Sequence, residues 1–312
     1  MKLTVIILAF NEELHIDRCI NSAKLISDSI YVVDSFSTDK TTSIVDNLGV
    51  KCLSRKFTSH AEKFNWALKQ IENCEWVVRI DADEYLTEEL VASVKECVAN
   101  DNGHFNGFSF KRRNYFLGKV IRYGGVFPTE TVRMFRYGFG VVEDRVMDEH
   151  IMVEGNIGKL YGEIIDDNHN SLSWWINKHN RYSSLEALEM YFEIKSSLSY
   201  SNLNFSDATS FKRKLKAGYQ NMPIPIRATL YFIYRFIFRL GFVDGFYGFL
   251  FHFYQGYWYR LLVDSKYCLL IEMRKKLGSQ DLSITEISQI LDISTDVIAS
   301  KIKIDWNNSE KN

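Results

Sequence analysis

Cysteine and proline are scarce in this sequence, and the two signs of charge nearly cancel. There are three prolines and five cysteines, and the cysteines are scattered without a CxxC pair. An odd number of dispersed cysteines is typical of reduced thiols in a cytosolic compartment, and it predicts no zinc site. The 38 basic and 39 acidic residues give a formal net charge of −1, which argues against a protein that binds nucleic acid through bulk electrostatics.

The sequence also lacks the pattern expected of a signal peptide and a hydrophobic run of membrane-spanning length. The N-terminus lacks the basic start and the small-residue cleavage site of a secretory signal. The longest uncharged piece of the aromatic-rich C-terminal region is residues 245–259, fifteen residues, whereas a spanning helix needs about 20. The composition is otherwise that of a globular protein, with 46% hydrophobic and 25% charged residues, which excludes a wholly disordered chain.

The first hundred residues alternate between apolar runs and helical patterns. The apolar runs cover residues 3–9, 30–33, 50–53 and 76–80. Helices are expected to open at Asn11, after the polar residues 37–39, around Phe64 and after Thr87. Such an alternation predicts a doubly wound parallel sheet with helices on both faces. Beyond residue 105 the pattern weakens; strands are expected at 108–110 and 132–135, and a helix from Ser173.

The composition changes along the chain, which predicts three regions. Residues 1–210 are expected to form the α/β domain. Residues 211–276 carry twelve basic and three acidic residues together with a dense aromatic run, a mixture that favours helices lying in a membrane interface. A helical hairpin packed on the first domain and a dimer interface are the alternatives. Residues 277–312 are expected to form a polar tail with one short helix.

Candidate chemistry lies where the predicted strands end, because ligands of such sheets bind beyond the carboxyl ends of the strands. Asp81 and Asp83 follow the fourth strand, and two carboxylates at that spacing can hold Mg²⁺ or Mn²⁺ together with a diphosphate. An acidic cap on the next helix is the alternative. Phe10 and Asp34 follow the first and second strands, where a nucleobase would need an aromatic surface and a hydrogen-bond acceptor. Asn11 could instead be only a helix cap.

These motifs resemble those of family 2 glycosyltransferases with the GT-A fold. The resemblance rests on AFNEE at 9–13, VVDSFSTD at 32–39, KFNWAL at 63–68 and RIDADE at 79–84. Later pieces are similar to the branch of the family that builds bacterial lipopolysaccharide core and polysaccharide chains: RYGGVFP, VRMFR, MDEH, DNHNSL and KHNRYSSLEA. The resemblance implies an α/β, Rossmann-like and mostly parallel sheet flanked by helices, with a helical, aromatic-rich C-terminal extension.

The resemblance also implies roles for individual residues. Asp83 would bind the metal, Asp81 would lie near the ribose or the diphosphate, and His169 would approach the metal or the diphosphate. Glu149 would be the catalytic base, with Asp148 as the alternative. The family usually pairs two acids after the second strand, whereas this chain has Ser35 in the second position, which leaves the contact with the base to Asp34. The expected nucleotide-sugar pocket comprises Ala9, Phe10, Asn11, Glu12, Asp34, Lys63, Asp81 and Ala82.

The resulting hypothesis is a metal-dependent, inverting hexosyltransferase. Its donor would be a nucleotide sugar, in the first place a UDP sugar, and its acceptor a lipopolysaccharide or a lipid-linked oligosaccharide. A carboxylate would deprotonate the acceptor hydroxyl while the metal offsets the charge of the leaving diphosphate. The expected location is cytoplasmic and peripheral, on the inner face of the plasma membrane, and a homodimer is a further expected partner.

Three other functions remain open at this point. A polyprenyl-phosphate glycosyltransferase has the same fold, but such enzymes often carry clear spanning helices. A sugar nucleotidyltransferase usually has a glycine-rich basic loop after the first strand, whereas AFNEE has neither glycine nor a basic residue. A non-catalytic scaffold would not need these acids. Some arginines are candidates for phosphate contacts, with a solvated or paired charge as the alternative: Arg112, Arg113, Arg122 and Arg133.

Overall fold

The structure is a computed structural model, and it describes residues 2–72, 74–143, 150–197, 223–278 and 281–299. The chain forms two compact units, Met1–Ser171 (unit 1) and Leu172–Asn312 (unit 2). The borders expected at residues 210 and 276 stay predictions. Residue 210 lies outside the described residues.

Unit 1 contains the alternating strands and helices that the sequence predicts. Its helices are α1 (Ile16–Ala23), α2 (Thr41–Asn47), α3 (His60–Leu68) and α4 (Glu88–Ala99). Its strands are β1 (Leu3–Ala9), β2 (Ser29–Asp34), β3 (Lys51–Ser54), β4 (Trp76–Asp81), β5 (Glu84–Leu86), β6 (Gly107–Phe116), β7 (Lys119–Ile121), β8 (Thr129–Arg136), β9 (Gly140–Val142), β10 (Ile151–Val153) and β11 (Ile157–Asp166).

One nine-stranded sheet organises this unit, in the order β3-β2-β1-β4-β8-β6-β11-β5, with β7 paired to β6. The four strands β3, β2, β1 and β4 are parallel, as expected from their apolar runs. The second half is mixed, because β8 pairs antiparallel with both β4 and β6, whereas β11 runs parallel to β6. The α/β fold class is therefore confirmed, with the parallel arrangement confined mainly to the first half of the sheet.

The parallel half is buried on both faces. All seven residues of β1 are buried, and successive side chains point to opposite sides of the sheet. Val5 and Ile7 join the core that includes residues of α1 and α4, whereas Ile6 and Leu8 pack with residues of α3. This two-sided burial explains the uninterrupted apolar run, and it brings the ends of β1, β2 and β4 to the same edge.

Local end signals in unit 1 agree with the sequence in two places and disagree in a third. Thr87 caps α4 by accepting from the backbone N–H of Leu90, and Gly49 follows α2 with a φ of +67°. The expectation that a helix opens at Asn11 is wrong, because α1 begins at Ile16 and Asn11 has a φ of +54°. Hydrogen bonds to the loop after β2 hold this turn.

Unit 2 is helical in its described part. Its elements are α5 (Leu172–Ser197), α6 (Ile224–Ile233), a π-helical turn (Tyr234–Phe238), a 3₁₀ turn (Gly241–Asp244), α7 (Gly245–Phe251), a second π-helical segment (His252–Trp258), α8 (Tyr259–Lys276) and α9 (Ile284–Leu291). Leu188 of α5, Leu270 of α8 and Ile287 of α9 share one buried core. The helix expected in the tail is thus present, and its apolar face packs inside this unit.

No single helix in the described ranges has both the length and the apolar character needed to cross a bilayer. One bent pair, Ile226–Phe238 with Gly241–Lys276, meets the criteria of length and composition when taken together, with an angle of 72° between the two parts.

Candidate active site

The carboxyl ends of three parallel strands meet at one edge of the sheet. In the register of the sheet, Ala9 pairs with Asp34, and Leu8 pairs with Asp81. Ala82, directly after β4, is buried and donates its backbone N–H to the carbonyl of Leu8 at 3.3 Å. Residues that lie far apart in the sequence are thus adjacent, at the edge where ligands of parallel sheets bind.

The loop after β1 is braced by the loop after β2. The backbone N–H of Asn11 donates to the hydroxyl of Ser37 at 2.8 Å, and the side-chain oxygen of Asn11 accepts from the backbone N–H of Thr38 at 2.8 Å. The N–H of Glu12 donates to the hydroxyl of Thr41, also at 2.8 Å. Asn is among the few residues that tolerate left-handed backbone, so Asn11 serves here as a link between two loops rather than as a helix cap.

Asp34 is buried, and both of its carboxylate oxygens accept hydrogen bonds from Ser37, one from the backbone and one from the hydroxyl. A carboxylate has about four acceptor sites, so each oxygen retains capacity for a further donor. The neighbouring Ser35 carries a buried hydroxyl oxygen that has no hydrogen-bond partner within the described part of the chain. Buried polar atoms are nearly always paired in native proteins. The unpaired hydroxyl therefore sets Ser35 apart from most buried polar residues.

Two aromatic rings are exposed beside these strand ends, and the sequence analysis identified only one. Phe10 follows β1, and Phe36 follows β2; both are exposed. Phe36 has a φ of +61°, a conformation that is an outlier for a bulky residue and that is often retained at functional sites. The signal available in the sequence was the lone aromatic residue among the polar turn residues of VVDSFSTD.

Lys63 lies beneath this edge with 2% of its surface exposed. Its ammonium group donates to the carbonyl of Ala9 at 2.8 Å and thereby supports the end of β1. Burial lowers the pKa of Lys63 to about 8, although the charges of Asp34 and Asp81 oppose this change. Whether it also touches a nucleotide stays a prediction.

Asp81 is held between two arginines. Its carboxylate oxygens lie 3.2 Å from Nε of Arg79 and 3.2 Å from a guanidinium nitrogen of Arg133. Although burial acts to raise it, the two positive charges hold the pKa of Asp81 well below its ordinary range. Both oxygens therefore face cations already, an arrangement that favours Asp83 over Asp81 as a metal ligand.

Arg133 and Glu84 form a buried ion pair that the sequence analysis did not identify. The guanidinium of Arg133 donates to Glu84 at 2.6 Å, and the other oxygen of Glu84 accepts from the backbone N–H of Asp81 at 2.9 Å. Burial raises the pKa of Glu84, against the opposing charge of Arg133. The structure therefore shows Arg133 as a paired charge, which was the alternative to its expected phosphate contact.

Asp83 has a different environment from Asp81. It is half-buried, and one carboxylate oxygen accepts from the side-chain amide of Asn168 at 3.0 Å. Its carbonyl accepts from the backbone N–H of Asp167 at 3.2 Å. Within the described residues no salt bridge involves Asp83. Its carboxylate is therefore oriented by an amide and has no ion-pair partner among the described residues.

The loop after β11 brings His169 to the same region. Its ring nitrogen Nε2 lies 2.9 Å from Asp167 and 3.3 Å from the guanidinium of Arg18, which also donates to Asp167. Nε2 is therefore engaged with protein groups, and a role for His169 at a metal stays a prediction.

His15, a residue that the sequence analysis missed, links this loop to the loop after β1. Its Nε2 accepts from the backbone N–H of His169 at 2.8 Å, so its proton resides on Nδ1, which donates to Glu12 at 2.6 Å. His15 is buried. The linkage joins Glu12, an expected pocket residue, to the loop that orients Asp83. No signal in the sequence indicated it, because the partners are 154 residues apart.

The other expected ligands are placed as follows. Glu149 and Asp148, the alternative bases, lie outside the described residues. Across those ranges that are described, no group of three or more His, Cys, Asp or Glu side chains converges as a metal site. Mg²⁺ commonly binds through one or two carboxylates together with substrate phosphates and water, so a site built on Asp83 alone does not need such a group.

Comparisons with known proteins agree with this geometry. Residues 4–142 match the model of glycosyl transferase family 2. An uncharacterized glycosyltransferase of Rickettsia typhi is 28% identical over 66% of this chain and 72% of its own length. The lipopolysaccharide core biosynthesis glycosyltransferase LpsC of Rhizobium meliloti is 28% identical over 60% of this chain and 71% of its own length. An uncharacterized glycosyltransferase of Rickettsia bellii is 38% identical, but over only 32% of this chain and 34% of its own length.

Solved structures match over a smaller part of the chain. TarS of S. aureus matches with a TM-score of 0.34 and 23% identity, over 44% of this chain and 28% of its own. The glucosyl-3-phosphoglycerate synthase of Mycobacterium tuberculosis, solved with Mn²⁺ and UDP-glucose, matches with a TM-score of 0.31 and 23% identity, over 36% of this chain and 44% of its own. Nothing about the substrate of this chain follows from such low scores. The match of residues 4–142 to the family model and the glycosyltransferase relatives, together with the polar edge of the sheet, show that this part of the chain is similar to glycosyl transferase family 2 and support its being a glycosyltransferase enzyme.

Proposed function

We propose that this chain transfers a hexose from a UDP sugar to a lipopolysaccharide or a lipid-linked oligosaccharide, with inversion at the anomeric carbon and with Mg²⁺ or Mn²⁺ as cofactor. The observation that carries the proposal is the placement of Asp34, Asp81 and Asp83 around the end of β1, where Asp83, unlike Asp81, forms no ion pair with any described residue.

The nucleotide would lie across the ends of β1 and β2. The exposed rings of Phe10 and Phe36 flank this position and offer apolar surfaces to a base. Asp34 retains acceptor capacity for the imide hydrogen of uracil. The buried hydroxyl of Ser35 lacks a partner in the described structure, and a bound nucleotide would supply one. Asn11 and Glu12 would line the pocket from the braced loop.

Asp83 would hold the divalent cation, and the residues present fit that group. Its carboxylate is oriented by Asn168 and carries no competing cation within the described residues. Carboxylate oxygen is the ligand that Mg²⁺ and Mn²⁺ prefer. When bound, the metal supplies Lewis-acid stabilisation of the leaving diphosphate. Asp81, fixed by Arg79 and Arg133, would remain ionised and orient the donor.

The acceptor hydroxyl would lose its proton to Glu149, with Asp148 as the alternative base. Inverting transfer needs a carboxylate on the face of the sugar opposite the leaving diphosphate. The relationship to LpsC, named for lipopolysaccharide core biosynthesis, supports an acceptor of this class. The same acceptor would place the enzyme at the inner face of the plasma membrane, where residues 211–276 would contact the lipid.

The donor and metal parts of the proposal can be tested together by titration calorimetry of the full-length protein with UDP, with and without Mn²⁺. We expect Mn²⁺ to strengthen the binding of UDP to the wild type, and we expect Asp83→Asn to lose that effect. Turnover of Asp83→Asn should fall by at least about 100-fold, the order found when one group that stabilises transition-state charge is removed.

Asp17→Asn is the matched control. Asp17 is exposed on α1 and accepts from the side-chain amide of Asn21 at 3.2 Å, much as Asp83 accepts from Asn168 at 3.0 Å. This variant should keep both the Mn²⁺ effect and turnover. Metal-dependent UDP binding that survives in Asp83→Asn would refute the assignment of the metal ligand, and absence of UDP binding by the wild type would refute the donor.

A further inference from the structure

The helical hairpin in unit 2 exposes an apolar face. Along α6 and its π-helical continuation, exposed apolar residues recur mostly four positions apart, which places them on one side of the helix. The series continues through the 3₁₀ turn into α7. Each of these side chains is 40–73% exposed: Ile226, Leu230, Tyr234, Ile237, Phe238, Leu240, Phe242, Val243, Phe246 and Phe249. We call this set the hairpin face.

Aromatic contacts pack the hairpin from within, and two residues of the hairpin face, Phe242 and Phe249, take part in them. The rings of Phe232 and Phe236 stack at 5.3 Å, and Phe236 contacts the rings of Phe242 and Phe249 at 6.3 and 5.8 Å. At Gly248, an added Cβ would lie 2.6 Å from the carbonyl oxygen of Gly241. The hairpin is therefore held from within, and the exposure of the hairpin face does not result from loose packing.

Charge is nearly absent from this face. Between residues 226 and 258 the sequence has three arginines and one acid, Asp244. Arg227 is buried in an ion pair with Asp264, and Arg235 is buried and donates to Gln255. Arg239, at the turn of the hairpin, is left as the exposed cation of this segment. Monomers in water rarely expose so large an apolar surface unless it serves to bind something.

The charge around the face favours an anionic lipid surface over a second copy of the chain. The described residues 223–276 hold eight basic and three acidic side chains. A second copy would bring the same positive charge against them, whereas anionic headgroups carry the opposite charge. Exposed aromatic and aliphatic side chains with an exposed basic residue beside them, here Arg239, are typical of helices that lie in the headgroup region.

We propose that the hairpin face inserts into the boundary between headgroups and acyl chains of an anionic bilayer, with Arg239 at the level of the phosphates. Phe238 and Phe246, the two most exposed phenylalanines of the set, would enter the acyl region. The inference rests on the proposed glycolipid acceptor for its purpose, since it would bring the active site to an acceptor held in the membrane.

The test is co-sedimentation of the full-length protein with vesicles of phosphatidylethanolamine and phosphatidylglycerol. We expect the wild type to bind, and we expect the double variant Phe238→Ser/Phe246→Ser to bind at least about tenfold more weakly, because a buried Phe side chain contributes more than this factor. Both residues are exposed, so the fold should tolerate the change. The control Met152→Ser/Tyr161→Ser replaces two side chains of unit 1 that are 56% and 75% exposed, and it should bind like the wild type.

Three results would overturn the proposal. The first is vesicle binding by the double variant equal to that of the wild type, and the second is no vesicle binding by the wild type. The third is a wild type that light scattering shows to be a dimer and a double variant that is a monomer, which would make the hairpin face a contact between copies. Mn²⁺-dependent UDP binding without vesicles should be unchanged in the double variant. UDP binding thus reports on the donor site, and vesicle binding reports on the hairpin face.

Discussion

Replacing the buried lysine beneath the active-site edge should remove a rise in stability with pH. In the folded chain, burial lowers the pKa of Lys63 from 10.5 to about 8. Between these two pH values the unfolded chain holds a proton on Lys63 that the folded chain has released. Stability increases with pH wherever the unfolded state binds more protons, so the free energy of unfolding should gain from this group as the pH rises from 8 to 10.5.

The size of the effect follows from the shift. A displacement of roughly 2.5 pH units, at about 1.36 kcal/mol for each unit, corresponds to about 3 kcal/mol between pH 7 and pH 10.5. Little of it should be screened by water, because Lys63 is 2% exposed. At pH 7, Lys63→Met removes both the cost of burying the charge and the stabilising hydrogen bond to Ala9. These two effects oppose each other, so the informative quantity is how the free energy of unfolding depends on pH.

Urea unfolding of the wild type and of Lys63→Met across this pH range measures the difference directly. Other groups titrate at high pH in both proteins, and their contributions cancel in the comparison. Lys24→Met is the matched control, because the ammonium of Lys24 also donates to a backbone carbonyl, that of Leu48 at 2.9 Å, but lies at the exposed surface. If Lys63→Met keeps the pH dependence of the wild type, the argument from burial is wrong.

Two further predictions concern the ion pair beneath Asp81 and the catalytic base. Arg133→Met leaves Glu84 buried without its partner and should lower the free energy of unfolding by about 3–5 kcal/mol. The control Lys159→Met breaks an exposed pair with Glu130 and should lower it by at most about 1 kcal/mol. Equal losses of the two variants in urea unfolding would contradict the role of burial. Glu149→Gln should retain UDP binding in calorimetry and lose turnover, and an inactive Asp148→Asn with an active Glu149→Gln would reverse the assignment of the base.

Much of the parallel half of the sheet could be predicted from the sequence, for a local reason. A strand that is buried on both faces must be apolar at every position, and residues 3–9 show this directly. The second half was harder. In β11, Ile157 and Tyr161 lie on the exposed face, so apolar residues occupy positions where an alternating strand would carry polar ones, and the alternation is hidden.

The candidate site, too, could be predicted only in part from the sequence. Asp34, Asp81 and Asp83 could be named from the sequence, because parallel strands end at a common edge and residues directly after them must lie there. Their chemical states could not be predicted. The ionisation of Asp81 depends on the neighbouring Arg79 and also on Arg133, which is 52 residues away, and the orientation of Asp83 depends on Asn168, which is 85 residues away. Charge–charge and hydrogen-bond energies depend on distance in space, and separation along the chain does not encode that distance until the chain has folded.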